Sequence, residues 1–117
     1  MFGSELSLRS AYTRLWPIRR VVVADWSMSP TLQPGDRLLV VGWLAPRVGD
    51  VVVARDPEAP TRLLVKRVAA VDRTGVDLRV EPGAFGRDSR RFGPVAREAV
   101  LGRVVWRYAP PARRGRL

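Results

Sequence analysis

Arg62-Leu63-Leu64-Val65-Lys66-Arg67-Val68-Ala69-Ala70-Val71 is the stretch that decides the fold. Branched and other apolar residues dominate it, as in a β-strand. As a strand it puts Leu64, Lys66, Val68 and Ala70 on one face and Leu63, Val65, Arg67 and Ala69 on the other. Runs of the same kind stand on either side of it, at Val21 to Asp25, Arg37 to Val41, Asp50 to Arg55, Val76 to Glu81 and Val100 to Tyr108, with Gly, Pro and Asp punctuating them. Two runs follow matching turns, Gln33-Pro34-Gly35-Asp36 and Arg47-Val48-Gly49-Asp50, in which the glycine supplies a positive φ. The fold class predicted is all-β, a compact barrel or sandwich of short strands with a short N-terminal arm or helix. Residues 1–20 form the arm, 21–109 a single β-domain, and 110–117 a basic, disordered tail.

Composition narrows the chemistry. At 117 residues the chain supports one core, and 46% hydrophobic with 27% charged residues is a globular balance. It has neither cysteine nor histidine. That excludes Ser/His/Asp and Cys/His catalysis, thiolate chemistry and disulfides, and leaves no ligand set for zinc; neither a metal nor a cofactor is expected. The net charge of +10 attracts nucleic acid, anionic membranes and acidic partners without choosing among them. Of 21 basic residues one is lysine, Lys66, in a chain otherwise committed to arginine.

No run of about 18 apolar residues is present to cross a bilayer as a helix, and the N-terminus lacks the apolar core of a secretory signal. The expected location is cytoplasmic. Leu6, Tyr12, Leu15 and Trp16, interleaved with Arg9, Arg14, Arg19 and Arg20, read either as an arm packed on the domain or as a segment in peripheral contact with an anionic membrane.

Three segments hold groups able to do chemistry. In Asp25-Trp26-Ser27-Met28-Ser29-Pro30-Thr31-Leu32, a serine follows a strand and precedes a turn, with the fixed φ of Pro30 to aim it; alone, this is the pattern of an ordinary loop. Lys66 faces inward by alternation, because arginine is the harder charge to bury. Desolvation then lowers its pKa toward that of a general base, which arginine could not become. Alone, it reads equally as a half-exposed strand lysine. Gly86-Arg87-Asp88-Ser89-Arg90-Arg91-Phe92-Gly93 offers an Asp/Arg pair suited to fixing a loop, or simply solvated charges.

In order, Ser27-Met28-x-Pro30-Thr31-Leu32, Gly49-Asp50-Val51-Val52-Val53, Lys66-Arg67-Val68 and Asp88-Ser89-Arg90-x-Phe92-Gly93-x-Val95 resemble the boxes of the type I signal peptidase family, from about Val21 to Tyr108. The resemblance implies a serine endopeptidase with Ser27 as nucleophile and Lys66 as general base. It also implies Asp25 and Met28 beside the oxyanion site, and Pro30, Asp88, Ser89 and Arg90 as structural support. Signal peptidases carry a membrane anchor and usually a larger second β-domain, neither of which is found in this sequence. The compact, arginine-rich chain and its ending, Phe92-Gly93-Pro94-Val95 through Val104-Val105-Trp106-Arg107-Tyr108, are similar to the nickel-type superoxide dismutase maturation proteases. That similarity implies a partner: the dismutase precursor, whose N-terminal extension is clipped.

Some positions depart from the family. Asp25 stands where a small hydroxyl residue is usual, so the backbone N–H of Ser27 is expected to serve as the oxyanion donor. Gly86 stands where relatives have a serine that bonds the lysine, so packing or another hydroxyl must orient Lys66. Val80-Glu81-Pro82 replaces Gly-Asp-Asn. A rival reading, a basic β-module binding nucleic acid, lacks a strand pair with aromatics and arginines interleaved, so no nucleic-acid partner is expected. A repressor-type self-cleaving domain would share fold and dyad, but the short N-terminus holds no helix-turn-helix.

Overall fold

A computed structural model describes residues 18–117. The predicted arm, with Leu6, Tyr12, Leu15 and Trp16, lies outside the described residues except for positions 18–20, which already belong to the sheet. The strands are β1 (Ile18–Val22), β2 (Arg37–Val41), β3 (Val51–Asp56), β4 (Ala59–Asp72), β5 (Gly75–Arg79), β6 (Val100–Ala109) and β7 (Gly115–Arg116). One helical turn, α1 (Ser89–Phe92), interrupts them. All pairings are antiparallel, in the order β1-β2-β6-β3-β4-β5, with β7 on β6. The fold is all-β.

β3 shows why the sheet curls around two cores. Its residues Val51 to Ala54 are buried without a break, as expected of a strand covered on both faces. Alternation sends Val51 and Val53 into one cluster with Val23, Met28, Leu32, Leu38, Val40 and Val104. Val52 and Ala54 go into another with Val68, Val76, Leu78 and Val95. The loop that carries Ser27 is seated on the first core through Met28 and Leu32, and the strand that carries Lys66 touches both, through Val65 on the first and Val68 in the second.

The predicted turns form as expected: Gly35 and Gly49 have φ of 93° and 94°, and in each the following aspartate accepts a backbone N–H three residues back, from Gln33 and Arg47 respectively. Two expectations need correction. The first strand begins at Ile18, not Val21, because Ile18 pairs with Val41 and the ladder runs to Val22 against Arg37; Arg19 and Arg20 masked a strand whose arginines sit at half-exposed and exposed positions. The tail is not frayed. Pro111–Arg113 make a 3₁₀ turn, Gly115–Arg116 pair with β6, and Leu117 packs on the first core. A charge explains this: Asp36, 2% exposed, accepts from both Arg107 and Arg113, so the tail supplies a counter-ion to a buried carboxylate.

Candidate active site

Residues 23–36 connect β1 to β2, and the loop is closed at its neck by Val23 N–H to Asp36 O (2.9 Å) and Gly35 N–H to Val23 O (2.8 Å). Inside it the chain turns tightly, with Ser29 N–H to Trp26 O (3.0 Å) and Leu32 N–H to Met28 O (2.8 Å). Met28 and Leu32, both buried, drive this turn into the first core. Pro30 occupies the outer, exposed side and follows a cis peptide bond. Ser27 lies between the exposed Trp26 and the buried Met28 and is itself 3% exposed. The side chain of Met28 thus acts first as a core anchor, while it also borders the cleft beside Ser27.

A second set of bonds pins this loop from the far side. Glu81 N–H donates to Ser27 O (2.9 Å), and the Glu81 carboxylate accepts from Thr31 Oγ1 (2.5 Å) and twice from Arg67 (3.0 and 2.8 Å). Arg67 is on β4, next to Lys66 but on the opposite face. The sequence does not announce the Thr31–Glu81–Arg67 brace, because nothing local marks a carboxylate that serves a threonine 50 positions away.

Lys66 points inward as alternation predicted, at 2% exposure, with Leu64 and Val68 buried on the same face. The pairing with β5 shifts register after Val68, yet the alternation continues, with Ala69 exposed and Ala70 half-buried. Burial pushes the Lys66 pKa below its ordinary value; the charges of Asp25 and Asp88 oppose this, Arg87 adds to it, and Asp56 opposes it.

Gly86 reports where Ser27 and Lys66 meet. A Cβ built on it would fall 2.9 Å from Ser27 Cβ and 3.4 Å from Lys66 Nζ, with Val80 Cγ1 at 3.3 Å. The two functional groups therefore border one small space. Gly86 also has φ of 150°, a conformation that side chains disfavour. Among the described residues no hydroxyl bonds Lys66, so its orientation comes from packing between the sheet and this loop.

Asp88, Ser89 and Arg90 hold that loop in place. Asp88, 3% exposed, caps α1 by accepting from Arg90 N–H (3.0 Å), and accepts from Val80 N–H (3.1 Å) and the Arg90 guanidinium (2.9 Å). Burial opposes its charge, but these donors outweigh burial and hold its pKa down at about 2. Ser89 Oγ accepts from Leu78 N–H (2.8 Å), tying α1 to β5. Beside them Arg87 grips fully buried Asp56 with two bonds (3.2 and 2.5 Å), a second pair that sequence reading did not single out.

Asp25 occupies a place that had been expected to stay open. Its Oδ1 accepts the backbone N–H of Ser27 at 3.1 Å, so that donor is engaged in this structure. A cleft of about 290 Å³ opens here, lined by Arg20, Val21, Val22, Val23, Ala24, Asp25, Ser27, Met28, Leu63 and Val65. One wall is the run leading to Ser27 and the other is the first half of β4, which β5 leaves uncovered because it pairs only from Arg67 onward. Two strand edges with open N–H and C=O groups thus face an apolar slot that ends at Ser27.

Comparison with known proteins places the chain in a family. The family described as signal peptidase, peptidase S26, matches residues 6–80, a span that includes Ser27 and Lys66 and ends before Asp88. The chain is 32% identical over 111 aligned residues (72% of this chain, 66% of the relative) to the mitochondrial ATP-independent inner membrane protease subunit 1b of Arabidopsis thaliana. It is 33% identical over 116 aligned residues (78% and 64%) to the mitochondrial inner membrane protease subunit 2 of Schizosaccharomyces pombe. The chain spans about two thirds of the length of these relatives.

Proposed function

The chain belongs to the signal peptidase family, peptidase S26, and on that premise we propose that it is a serine endopeptidase that removes an N-terminal extension from a precursor protein, with Ser27 as nucleophile and Lys66 as general base. The observation that carries this is the convergence at Gly86: a buried serine Cβ and a buried lysine Nζ, from different elements, within 3.4 Å of one point. The substrate lies extended in the cleft beside β4. Neutral Lys66 takes the proton from Ser27 Oγ as that oxygen attacks the scissile carbonyl. The tetrahedral intermediate collapses when the Lys66 ammonium returns the proton to the leaving amine. Water, deprotonated by Lys66, then hydrolyses the acyl-enzyme. Asp88, Ser89 and Arg90 support the loop that closes over the lysine. These steps use no metal or cofactor.

For the substrate we favour the nickel-type superoxide dismutase precursor in the cytoplasm, on the resemblance of the segment from Phe92 to Tyr108 to the proteases that mature it. The relatives' names, which specify an inner membrane, favour a second reading in which the substrates are exported or membrane-delivered proteins and the enzyme works in peripheral contact with a bilayer. The test is to incubate the protein and its Lys66→Arg variant with the dismutase precursor and follow intact mass. Loss of the extension with wild type alone is the expected result. Equal cleavage by Lys66→Arg would sink the dyad, and no cleavage by wild type would send the substrate search to membrane-delivered precursors.

A further inference from the structure

A serine peptidase of this kind needs a donor for the negative charge that develops on the carbonyl oxygen, at about 2.7–3.1 Å from that oxygen. The N–H of Ser27 is the donor that the nucleophile itself carries, and here a carboxylate oxygen, Asp25 Oδ1, stands 3.1 Å from it. An oxyanion and a carboxylate cannot occupy the same place, since each repels the other and one N–H serves one of them well. Asp25 is exposed and lines the substrate cleft together with Ser27, so its side chain has both the room to swing off the amide and a reason to meet the substrate.

We propose that Asp25 is a carboxylate plug on the oxyanion donor: in the resting enzyme it occupies the Ser27 amide, and catalysis requires that the bound substrate displace it. This inference rests on the reading of Ser27 as the nucleophile. The plug makes turnover conditional. A peptide that merely visits Ser27 finds the donor taken, whereas one held along the strand edges of the cleft has the binding energy to turn Asp25 away. Asp25 is thus a residue that sets selectivity between well-bound and poorly bound substrates, and it acts on the reaction through the amide, not by touching the transferred proton. Its charge also weighs on Lys66, where it is the largest influence opposing the effect of burial, so displacement of Asp25 frees the donor and relieves the base in one movement.

The variants Asp25→Ala and Asp25→Asn separate the parts. Asparagine keeps an oxygen able to accept from the Ser27 N–H but lacks the charge; alanine can neither accept from that amide nor supply a donor of its own. The expected order of kcat on a short peptide spanning the cleavage site is wild type below Asp25→Asn below Asp25→Ala, with at least about a tenfold rise for alanine, since a single oxyanion donor is worth about 10²–10³ in kcat. KM should change less than kcat, and the Ser27 amide proton resonance should move upfield in Asp25→Ala. A role confined to holding the turn would instead lower kcat together with thermal stability. Asp25→Ala with kcat equal to or below that of wild type, at unchanged Tm, overturns the plug. Cleavage that survives Ser27→Ala overturns the nucleophile, and the plug with it.

Discussion

Lys66 holds its amine at 2% exposure, and that burial has two measurable consequences. Because the native state disfavours the ammonium, the folded pKa lies below the ordinary value of about 10.4, and between the two values the unfolded chain binds more protons. Stability therefore rises with pH across that window, and the full penalty is present below it. Lys66→Met removes the charge at nearly constant volume. It is expected to be inactive yet more stable than wild type at pH 7 by about 1 kcal/mol or more, and to lose the alkaline rise, as read from urea denaturation at several pH values. For wild type, kcat/KM should climb with pH along a limb below the ordinary lysine value. Its position is set by burial against Asp25 from the β1–β2 loop, Asp88 and Arg87 from the segment entering α1, and Asp56 from β3. At this scale the sequence was a good guide to the inward lysine, since alternation and the cost of burying arginine suffice to orient it. It was a poor guide to Asp25, because whether a side chain turns back onto an amide two residues on depends on torsions that leave no periodic trace.

A four-residue helix is the element on which the Gly86 loop depends. α1 is too short to be stable alone, and it persists because Asp88 caps it while also accepting from Val80 and pairing with Arg90. Asp88→Ala leaves two backbone N–H groups, one of them on the buried Val80, without their acceptor. We expect a loss of about 2–3 kcal/mol by chemical denaturation and a larger loss of activity than of structure. The depressed carboxylate sets the acid limb. Its contribution is complete above the ordinary aspartate value of about 3.9 and is lost as pH falls toward about 2, so the alanine variant should show a flatter decline across that interval. Strands were the most legible elements, since β-branched runs and glycine turns are local signals. The start of β1 was missed for its arginines, and the shift after Val68 because register belongs to the pair of strands, β4 and β5, and not to either sequence alone.

Over the whole molecule, one buried carboxylate ties the β1–β2 loop to the last residues of the chain. Asp36 lies at the neck of the loop that carries Ser27, and Arg107 from β6 also bonds Thr31 O (2.7 Å) within that loop. Arg113 arrives from the last residues of the chain to complete the set. Arg113→Ala should lower Tm without unfolding the domain, since Arg107 still serves Asp36. Cleavage measured well below the transition should be nearly normal. Normal melting would mean that the Arg113–Asp36 pair contributes nothing to the fold. Composition suggested a solvated end because prolines and arginines are what such ends contain; the partner that orders them lies 77 positions earlier.

Lys66 and Arg67 are neighbours in the chain and strangers in the fold. The pleat sends one amine into the dry space beside Ser27 and clamps the other cation to Glu81 on the opposite face. Exchange the two letters and the molecule keeps its mass, its amino-acid content and its isoelectric point; no bulk property could tell the products apart. What is lost is the assignment of a releasable proton to the inside and a permanent charge to the outside. On the proposed assignment of Lys66 as the base, the difference between a peptidase and an inert β-domain of identical weight is a matter of word order.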